Sequence, residues 1–299
     1  LRYESRRVTA SQPQERTIET VLRWATDDFR ARGVDSPRLD AELLLGRVLS
    51  YSRIQLIADA KRVLDAGELS GFRELVKRRR AREPTAYILG EREFYGRKFR
   101  VDRRVLIPRP DTETLVEVAL DRTRDRSMSM RALDLCTGSG CVAITLARER
   151  RTSLFVATDV SGEALAVARD NAMRLGAYNV AFREGDLFAA VNPSMRFDLV
   201  TANPPYIADA DLTGLEPEVR DFEPRGALAG GIDGLSVVRL IVAEARAHLA
   251  SGGRLVLEVG FGEAPAAAAL LAAAGFGAID VRRDYGRVER VVSGVLENP

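Results

Sequence analysis

Two hydrophobic rhythms divide this chain. As far as residue 82 the apolar positions recur at helical spacing. Ile18, Val21, Leu22, Ala25 and Phe29 follow the i, i+3, i+4 pattern of a helix with one buried face, and Gly33 can stop it. Ser36 then stands as a cap, with Pro37 at the first position of a second helix whose stripe is Ala41, Leu44, Leu45 and Val48. A third stripe, Leu69, Phe72, Leu75 and Val76, ends in Arg78, Arg79, Arg80 and Arg82, cations suited to the negative end of a helix dipole. That cluster reads as a solvated helix terminus, with contact to an acidic partner or RNA as the alternative. From Glu91 to Val101 the pattern alternates through Phe94, Tyr95, Phe99 and Val101 around Gly96, which predicts a hairpin joining two domains.

From Arg131 onward strands alternate with helices. Residues 132–135, 154–159, 180–182, 199–200 and 254–259 are expected strands, and 141–148, 164–172, 234–250 and 264–274 expected helices. Residues 278–283 and 289–296 close the sheet. This alternation is the signature of an α/β fold with a mainly parallel sheet.

Composition narrows the function. The 299 residues carry a net charge of +2, so no global polyanion binder is implied, and their only lysines are Lys61, Lys77 and Lys98. No apolar run is long enough to span a bilayer, and Leu1–Arg7 lacks the apolar core of a leader. Cys136 and Cys141, the only cysteines, lie in one glycine-rich segment and read as small packing residues, not as a disulfide. With His248 the sole histidine, late in a helical pattern and read as structural, an ordinary zinc site is out of reach. A cytoplasmic, metal-independent protein is expected.

The segment Asp134-Leu135-Cys136-Thr137-Gly138-Ser139-Gly140 runs from a strand through a glycine turn into a helix. Alone it favours neither a nicotinamide dinucleotide nor S-adenosylmethionine, because Gly138 and Gly140 with Ala143 also fit the dinucleotide fingerprint and Asp159 lies where a ribose-binding acid belongs. Asp134 shifts the balance: a carboxylate just before the turn suits a cationic methionine moiety and repels a pyrophosphate. Asp186 and Leu187, after the third strand, add an acid and apolar surface suited to adenine.

Asn203-Pro204-Pro205-Tyr206 follows a short buried strand, at the strand end where α/β sheets gather their chemistry. The two prolines remove two donors and stiffen the turn. What remains is a pair of acceptors, the Asn203 side-chain oxygen and the Pro204 carbonyl, beside the ring of Tyr206. That is a cradle for a planar NH2 group, whose delocalised lone pair makes it a poor nucleophile until it is oriented.

Further strings are distinctive: Glu83-Pro84-Thr85-Ala86-Tyr87-Ile88-Leu89-Gly90, Glu93-Phe94-Tyr95-Gly96, Val105 to Glu113, and Glu223-Pro224 to Leu235. With the glycine turn and Asn203–Tyr206 they resemble the HemK-type glutamine-N5 methyltransferases, which methylate the Gly-Gly-Gln glutamine of bacterial peptide chain release factors. The resemblance runs from about residue 15 to the end. It implies an N-terminal helical recognition domain over 1–85, a hairpin linker over 86–112, and a Rossmann-like, seven-stranded S-adenosylmethionine-dependent methyltransferase domain over 113–299.

By the same resemblance Cys136, Thr137, Gly138, Ser139 and Gly140 hold the methyl donor, with Asp159 on the ribose and Asp186 and Leu187 at the adenine. Asn203, Pro204, Pro205 and Tyr206 would hold the glutamine, Asn203 and Pro204 being catalytic and Asn203 also touching the donor. Cys136 stands where glycine is common and Leu187 where many relatives carry an aromatic ring. Residues 107–113 lie against donor or glutamine, or are a linker packed on the sheet. Glu223 and the glycines after it shape a loop beside the site.

The expected reaction is in-line displacement: the amide nitrogen attacks the sulfonium methyl, and neither acid nor strong base is required. A monomer acting on release factors, without nucleic acid, membrane or metal, is the expectation. The rivals are a methyltransferase for a glutamine of a large-subunit ribosomal protein, and one for adenine N6 or guanine N2 in nucleic acid, where the same turn serves a flipped base. A nicotinamide enzyme or a binding module would leave Asn203–Tyr206 unexplained.

Overall fold

The structure, a computed structural model, describes residues 16–122 and 129–297; Leu1–Arg7, read above for a leader, lies outside the described residues. By its internal packing the chain divides between Leu89 and Gly90.

The first unit consists of α1 (Ile18–Ala31), α2 (Pro37–Leu49), α3 (Arg53–Ala58), α4 (Ala66–Arg80) and α5 (Thr85–Leu89). Leu22, Phe29, Leu44, Leu45, Leu56, Phe72 and Val76 meet in its core. Both α3 and α4 open with capping boxes, Ser52 with Gln55 and Asp65 with Glu68, which satisfy orphan N–H groups at each start. Ser36 does not cap α2 through its hydroxyl: its backbone (φ −118°, ψ 59°) departs from the usual cap conformation, and Pro37 at the first position marks the start instead.

The α4 terminus is solvated at Arg78 and Arg80, as expected, but not at Arg79. Arg79 is buried and donates to Asp40 at 2.7 Å, Arg78 to Glu83 at 2.8 Å, and Arg80 to Asp28 at 2.7 Å. Arg82 donates to the carbonyls of Arg32 and Gly33. Of these contacts only the Arg79–Asp40 pair is buried, and it ties α4 to α2.

The second unit opens with the hairpin β1 (Glu91–Phe94) and β2 (Arg97–Arg100), turned by Tyr95 and Gly96 at φ 49° and 68°, the double left-handed geometry that matches strand twist. Expected as part of a linker over 86–112, the hairpin lies with the second unit, because Phe94 and Phe99 are buried against Leu115, Val116 and Ile144.

The main sheet contains β3 (Arg131–Leu135), β4 (Leu154–Asp159), β5 (Val180–Glu184), β6 (Phe197–Ala202), β7 (Leu249–Glu258), β8 (Phe276–Arg283) and β9 (Glu289–Leu296), in the order β5-β4-β3-β6-β7-β9-β8. The first five in that order are mutually parallel, and β9 runs antiparallel to both neighbours. Alternate residues feed two cores. Leu133, Val156, Val200 and Leu257 enter one, while Ala132, Phe155, Leu199 and Val256 enter the other. Strands buried on both faces read as unbroken apolar runs, which is why they were legible. Helices α6 (Glu113–Arg122), α7 (Cys141–Glu149), α8 (Gly162–Leu175), the single turn α9 (Pro217–Arg220), α10 (Ser236–His248) and α11 (Ala264–Ala273) complete the unit. The chain leaves β3 first toward β4 and β5, then returns on the other side as β6 and β7. That reversal opens a crevice at the carboxyl ends of β3 and β6.

Candidate active site

A cavity of about 340 Å³ occupies this crevice, and all its lining residues belong to the second unit. Asp134, at the end of β3, is 2% exposed and accepts from the hydroxyls of Thr137 (2.6 Å) and Thr201 (2.7 Å). Burial pushes its carboxyl up to about 6 against those two donors.

The turn after it is built for close backbone approach. Cys136 (φ 56°) and Gly138 (φ 54°) are both left-handed. The Gly138 N–H donates to Asp159 Oδ2 at 2.8 Å, and the Ser161 N–H to Asp159 Oδ1 at 3.0 Å. Asn171 of α8, wholly buried, donates to the carbonyls of Ser139 and Arg100, tying the turn to β2. Cys136, Thr137, Gly138, Ser139, Asp159, Asp186, Leu187 and Asn203 all line the cavity. Gly140 does not: it caps α7 at φ 79°, where a Cβ would come within 2.7 Å of Ile144. Cys141 also lines the wall, and burial pushes its thiol up to about 12 and that of Cys136 higher still, so neither is a thiolate. Leu187 occupies a left-handed backbone (φ 45°).

Asn203, just past β6, donates from Nδ2 to Thr112 Oγ1 at 3.2 Å, and its oxygen has no partner among the described residues. Pro205 lines the cavity; Pro204 is buried behind it, and its carbonyl accepts no hydrogen bond from the described residues. Tyr206 stands outside the lining. Burial raises its phenol, Glu258 adds to that, and Arg290 and Arg109 oppose it. The chain beyond is stapled to the glycine-rich loop by Ile207 N–H to Leu228 (2.9 Å) and Gly230 N–H to Ile207 (2.8 Å). Gly230 leaves no room for a side chain, since a Cβ would lie 2.7 Å from the Tyr206 backbone.

Two segments that sequence patterns left ambiguous form further wall. Val105, Leu106, Pro108, Arg109 and Thr112 line the cavity, as do Pro224, Gly226, Ala227 and Ala229. Arg109 joins the two by donating to Glu223 at 2.7 Å, and Arg103 lies 4.7 Å over the Phe222 ring. Burial raises Glu223, while Arg109 draws it down. Val160, Ser161 and Ala164 went unnoticed, although a position immediately past β4 was itself the signal. His248 does not line the cavity: it stacks on Phe188 at 4.7 Å, and burial lowers its pKa. Among the described residues no cluster of His, Cys, Asp or Glu could hold a metal ion.

Three carboxylates, Asp134, Asp159 and Asp186, share this wall with Val105, Leu106, Val160 and Leu187. The lining cations are engaged, Arg104 with Asp102 and Arg109 with Glu223. A pyrophosphate would meet negative charge here; a small cation joined to a hydroxylated ring and an apolar ring fits. Beside it stands an amide oxygen in want of a donor. Transfer of a small group from a cationic donor to a planar nitrogen is the chemistry such a wall supports, on the sheet of a Rossmann-like methyltransferase.

Known proteins agree. Residues 111–215 match the family described as "Methyltransferase small domain", and residues 20–90 match "PrmC N-terminal domain". The release factor glutamine methyltransferase of Geobacter sulfurreducens is 43% identical over 282 residues, covering 94% of this chain and 98% of that one. Its counterpart from Burkholderia pseudomallei is 45% identical over 277 residues, covering 91% and 96%. A solved methyltransferase from Pyrococcus furiosus shares the fold at a TM-score of 0.51, with 18% identity over 69% of this chain and 91% of that one. The chain belongs to the release factor glutamine methyltransferase family.

Proposed function

We propose that this enzyme methylates the side-chain amide nitrogen of the glutamine in the Gly-Gly-Gln motif of peptide chain release factors, with S-adenosylmethionine as methyl donor, acting as a monomer in the cytoplasm. The observation that carries the reading is Asn203: its NH2 is spent on Thr112, and its oxygen is left without a protein partner at the cavity wall.

When bound, S-adenosylmethionine supplies a sulfonium-activated methyl group. Asp134 sets a buried negative charge against that cation, Asp159 offers its carboxylate to the ribose hydroxyls, and Asp186 and Leu187 flank the adenine. Asn203 Oδ1 and the Pro204 carbonyl accept the two N–H groups of the glutamine amide, fix the nitrogen's direction, and offset the positive charge it gains as its bond forms. Holding reactants near attack geometry is worth about 7–11 kcal/mol. The apolar wall of Val105, Leu106 and Pro205 offers water no hydrogen-bonding side chain there. No side chain need take a proton early, because the nitrogen becomes strongly acidic only once alkylated.

A protein substrate is favoured over nucleic acid because the most basic run of the sequence, Arg78 to Arg80, is paired internally. We assign recognition of the folded release factor to the helical unit. The test is methyl transfer from labelled donor to purified release factor, ribosomal protein and nucleic acid in parallel. Label on the release factor that is lost when its motif glutamine is replaced supports the reading; label on RNA or the ribosomal protein alone overturns it.

A further inference from the structure

Glu258 ends β7 beside the acceptor turn. Ala202 pairs with Leu257 in the parallel register of β6 and β7, so Asn203 and Glu258 are the next residues on adjacent strands. Glu258 is wholly buried and does not line the cavity. Neither of its oxygens makes a well-formed hydrogen bond, yet the Thr112 hydroxyl lies close enough to draw its pKa down. A carboxylate left this way in a core is costly, and nothing in methyl transfer itself calls for it. Thr112 is 1% exposed and is the same residue that accepts the Asn203 N–H at 3.2 Å.

We propose that Glu258 is a positioning residue which, through the Thr112 hydroxyl, fixes the Asn203 amide with its oxygen toward the substrate nitrogen. This rests on the reading of Asn203 as the acceptor. An asparagine amide is nearly symmetric in shape, and only its partners decide which end faces where. Thr112 alone does not decide, since a hydroxyl can accept from Nδ2 or donate to Oδ1. An ionised carboxylate can only accept. It takes the single proton of the Thr112 hydroxyl, and the hydroxyl must then accept from Asn203. With Glu258 protonated the chain can run the other way: Glu258 donates to Thr112, Thr112 donates to Oδ1, and the Asn203 NH2 meets the substrate NH2, donor against donor.

The arrangement is therefore sensitive to pH. Glu258 is pushed up to about 7 by burial, drawn down by Thr112, Arg290 and Arg109, and raised by Asp111; the Tyr206 phenol and the Cys141 thiol also face it. These groups come from β9, from the segment before α6, from the acceptor turn and from the start of α7.

The test measures single-turnover rate at saturating donor across neutral pH, with donor affinity by calorimetry, in four variants. Thr112→Val should slow methylation about tenfold while donor affinity stays within about twofold. It should also flatten the rise in rate expected of the wild type through pH 7. Thr112→Ser, which keeps the hydroxyl, should restore both rate and pH dependence. Glu258→Gln, which can donate or accept, should be slower and pH-independent; if it does not fold, the Thr112→Val profile decides. Asn203→Ala separates the two readings. If it is inactive while Thr112→Val and Glu258→Gln keep the wild-type rate and profile, the relay is refuted and the acceptor stands. If Asn203→Ala keeps the wild-type rate, the acceptor reading fails and the relay with it.

Discussion

The backbone N–H of Gly138 donates to Oδ2 of Asp159 at 2.8 Å, so the acid that ends β4 also holds the glycine turn that follows β3. Its other oxygen accepts from Ser161 at the start of α8. Asp159 thus fixes the turn, and in the proposed function its remaining lone pairs are the ones offered to a ribose. Asp159→Ala should weaken S-adenosylmethionine binding by one to two orders of magnitude, since a hydrogen bond to a charged group is worth about 1.5–3 kcal/mol. Asp159→Asn keeps an acceptor for one of the N–H groups and should fall between. Titration calorimetry reads both, and binding of a nicotinamide dinucleotide in place of S-adenosylmethionine would remove the donor assignment.

Asn203 is held from one side only, so replacing it should act on rate and not on donor affinity. Asn203→Ala is expected to lower turnover about a hundred- to a thousandfold, the usual cost of one preorganised polar contact. Asn203→Asp keeps an acceptor oxygen but loses the N–H that reaches Thr112, and it adds negative charge near Asp134. An intermediate rate is expected. Single-turnover kinetics beside donor dissociation constants decide it; a loss confined to donor binding would show that Asn203 serves the donor alone.

How much of this was legible follows from distance along the chain. Asp134, Asp159 and Asn203 each sit at or just past the end of an apolar run, and a parallel sheet brings such ends together whatever else happens. Gly138 and Gly140 share the same residue type in one turn, yet Gly138 faces the cavity while Gly140 packs on Ile144, because two residues along a turn change which side is crowded. The Arg109–Glu223 contact spans 114 residues and has no local pattern to announce it. Arg79 looked solvent-bound because nothing in α4 itself shows that Asp40, two helices earlier, would meet it. Cys136 is the converse: as a non-glycine at φ 56° it confirms physically why glycine is at ease there. Cys136→Gly should fold without loss, its relief of strain offset by greater freedom in the unfolded chain.

His248 should be dispensable for chemistry. Its ring is spent on Phe188, and burial keeps it neutral. His248→Ala is expected to lower stability by about 1–3 kcal/mol through lost packing and to leave the methylation rate within about twofold. Chelation should change nothing, for the same reason that no histidine base is needed. A tenfold fall in correctly folded His248→Ala protein, or in wild type treated with chelator, would mean that a base or metal takes part.

Two buried acids should make the unliganded enzyme less stable as pH rises. Asp134 is raised from 3.8 to about 6 and Glu258 from 4.5 to about 7, in both cases chiefly by burial. Between those limits the folded state keeps a proton that the unfolded chain has released, so stability falls through this window and the penalty is complete above about pH 7. Carboxylates held low by arginine, such as Asp28, act at lower pH and with opposite sign. The melting temperature should therefore decline from pH 5.5 to pH 8, and Glu258→Gln should flatten part of that decline. Donor binding should weaken as Asp134 gains its proton near pH 6. A melting temperature that instead climbs through neutral pH in the wild type, with no effect of Glu258→Gln, would show that these carboxyls are not strained by burial.

The last expectation concerns the helical unit. Every residue lining the cavity lies beyond Gly90, and the second unit has two cores of its own. Removing residues 1–89 should leave S-adenosylmethionine binding largely intact. Recognition of a folded protein needs more surface than a side-chain pocket offers, since stable complexes bury about 1,200–2,000 Å². The truncated enzyme should therefore lose methylation of intact release factor yet still modify, slowly, a short peptide carrying the Gly-Gly-Gln motif. Arg79→Ala supplies the same test in the full chain. Taking away one partner of the buried pair with Asp40 costs about 3–5 kcal/mol and should unfold the helical unit selectively. Circular dichroism follows the loss of helix while calorimetry follows the donor site. If either form methylates intact release factor at the wild-type rate while its helical unit is absent or unfolded, that unit is not the recognition surface, and the second unit must carry the whole interface.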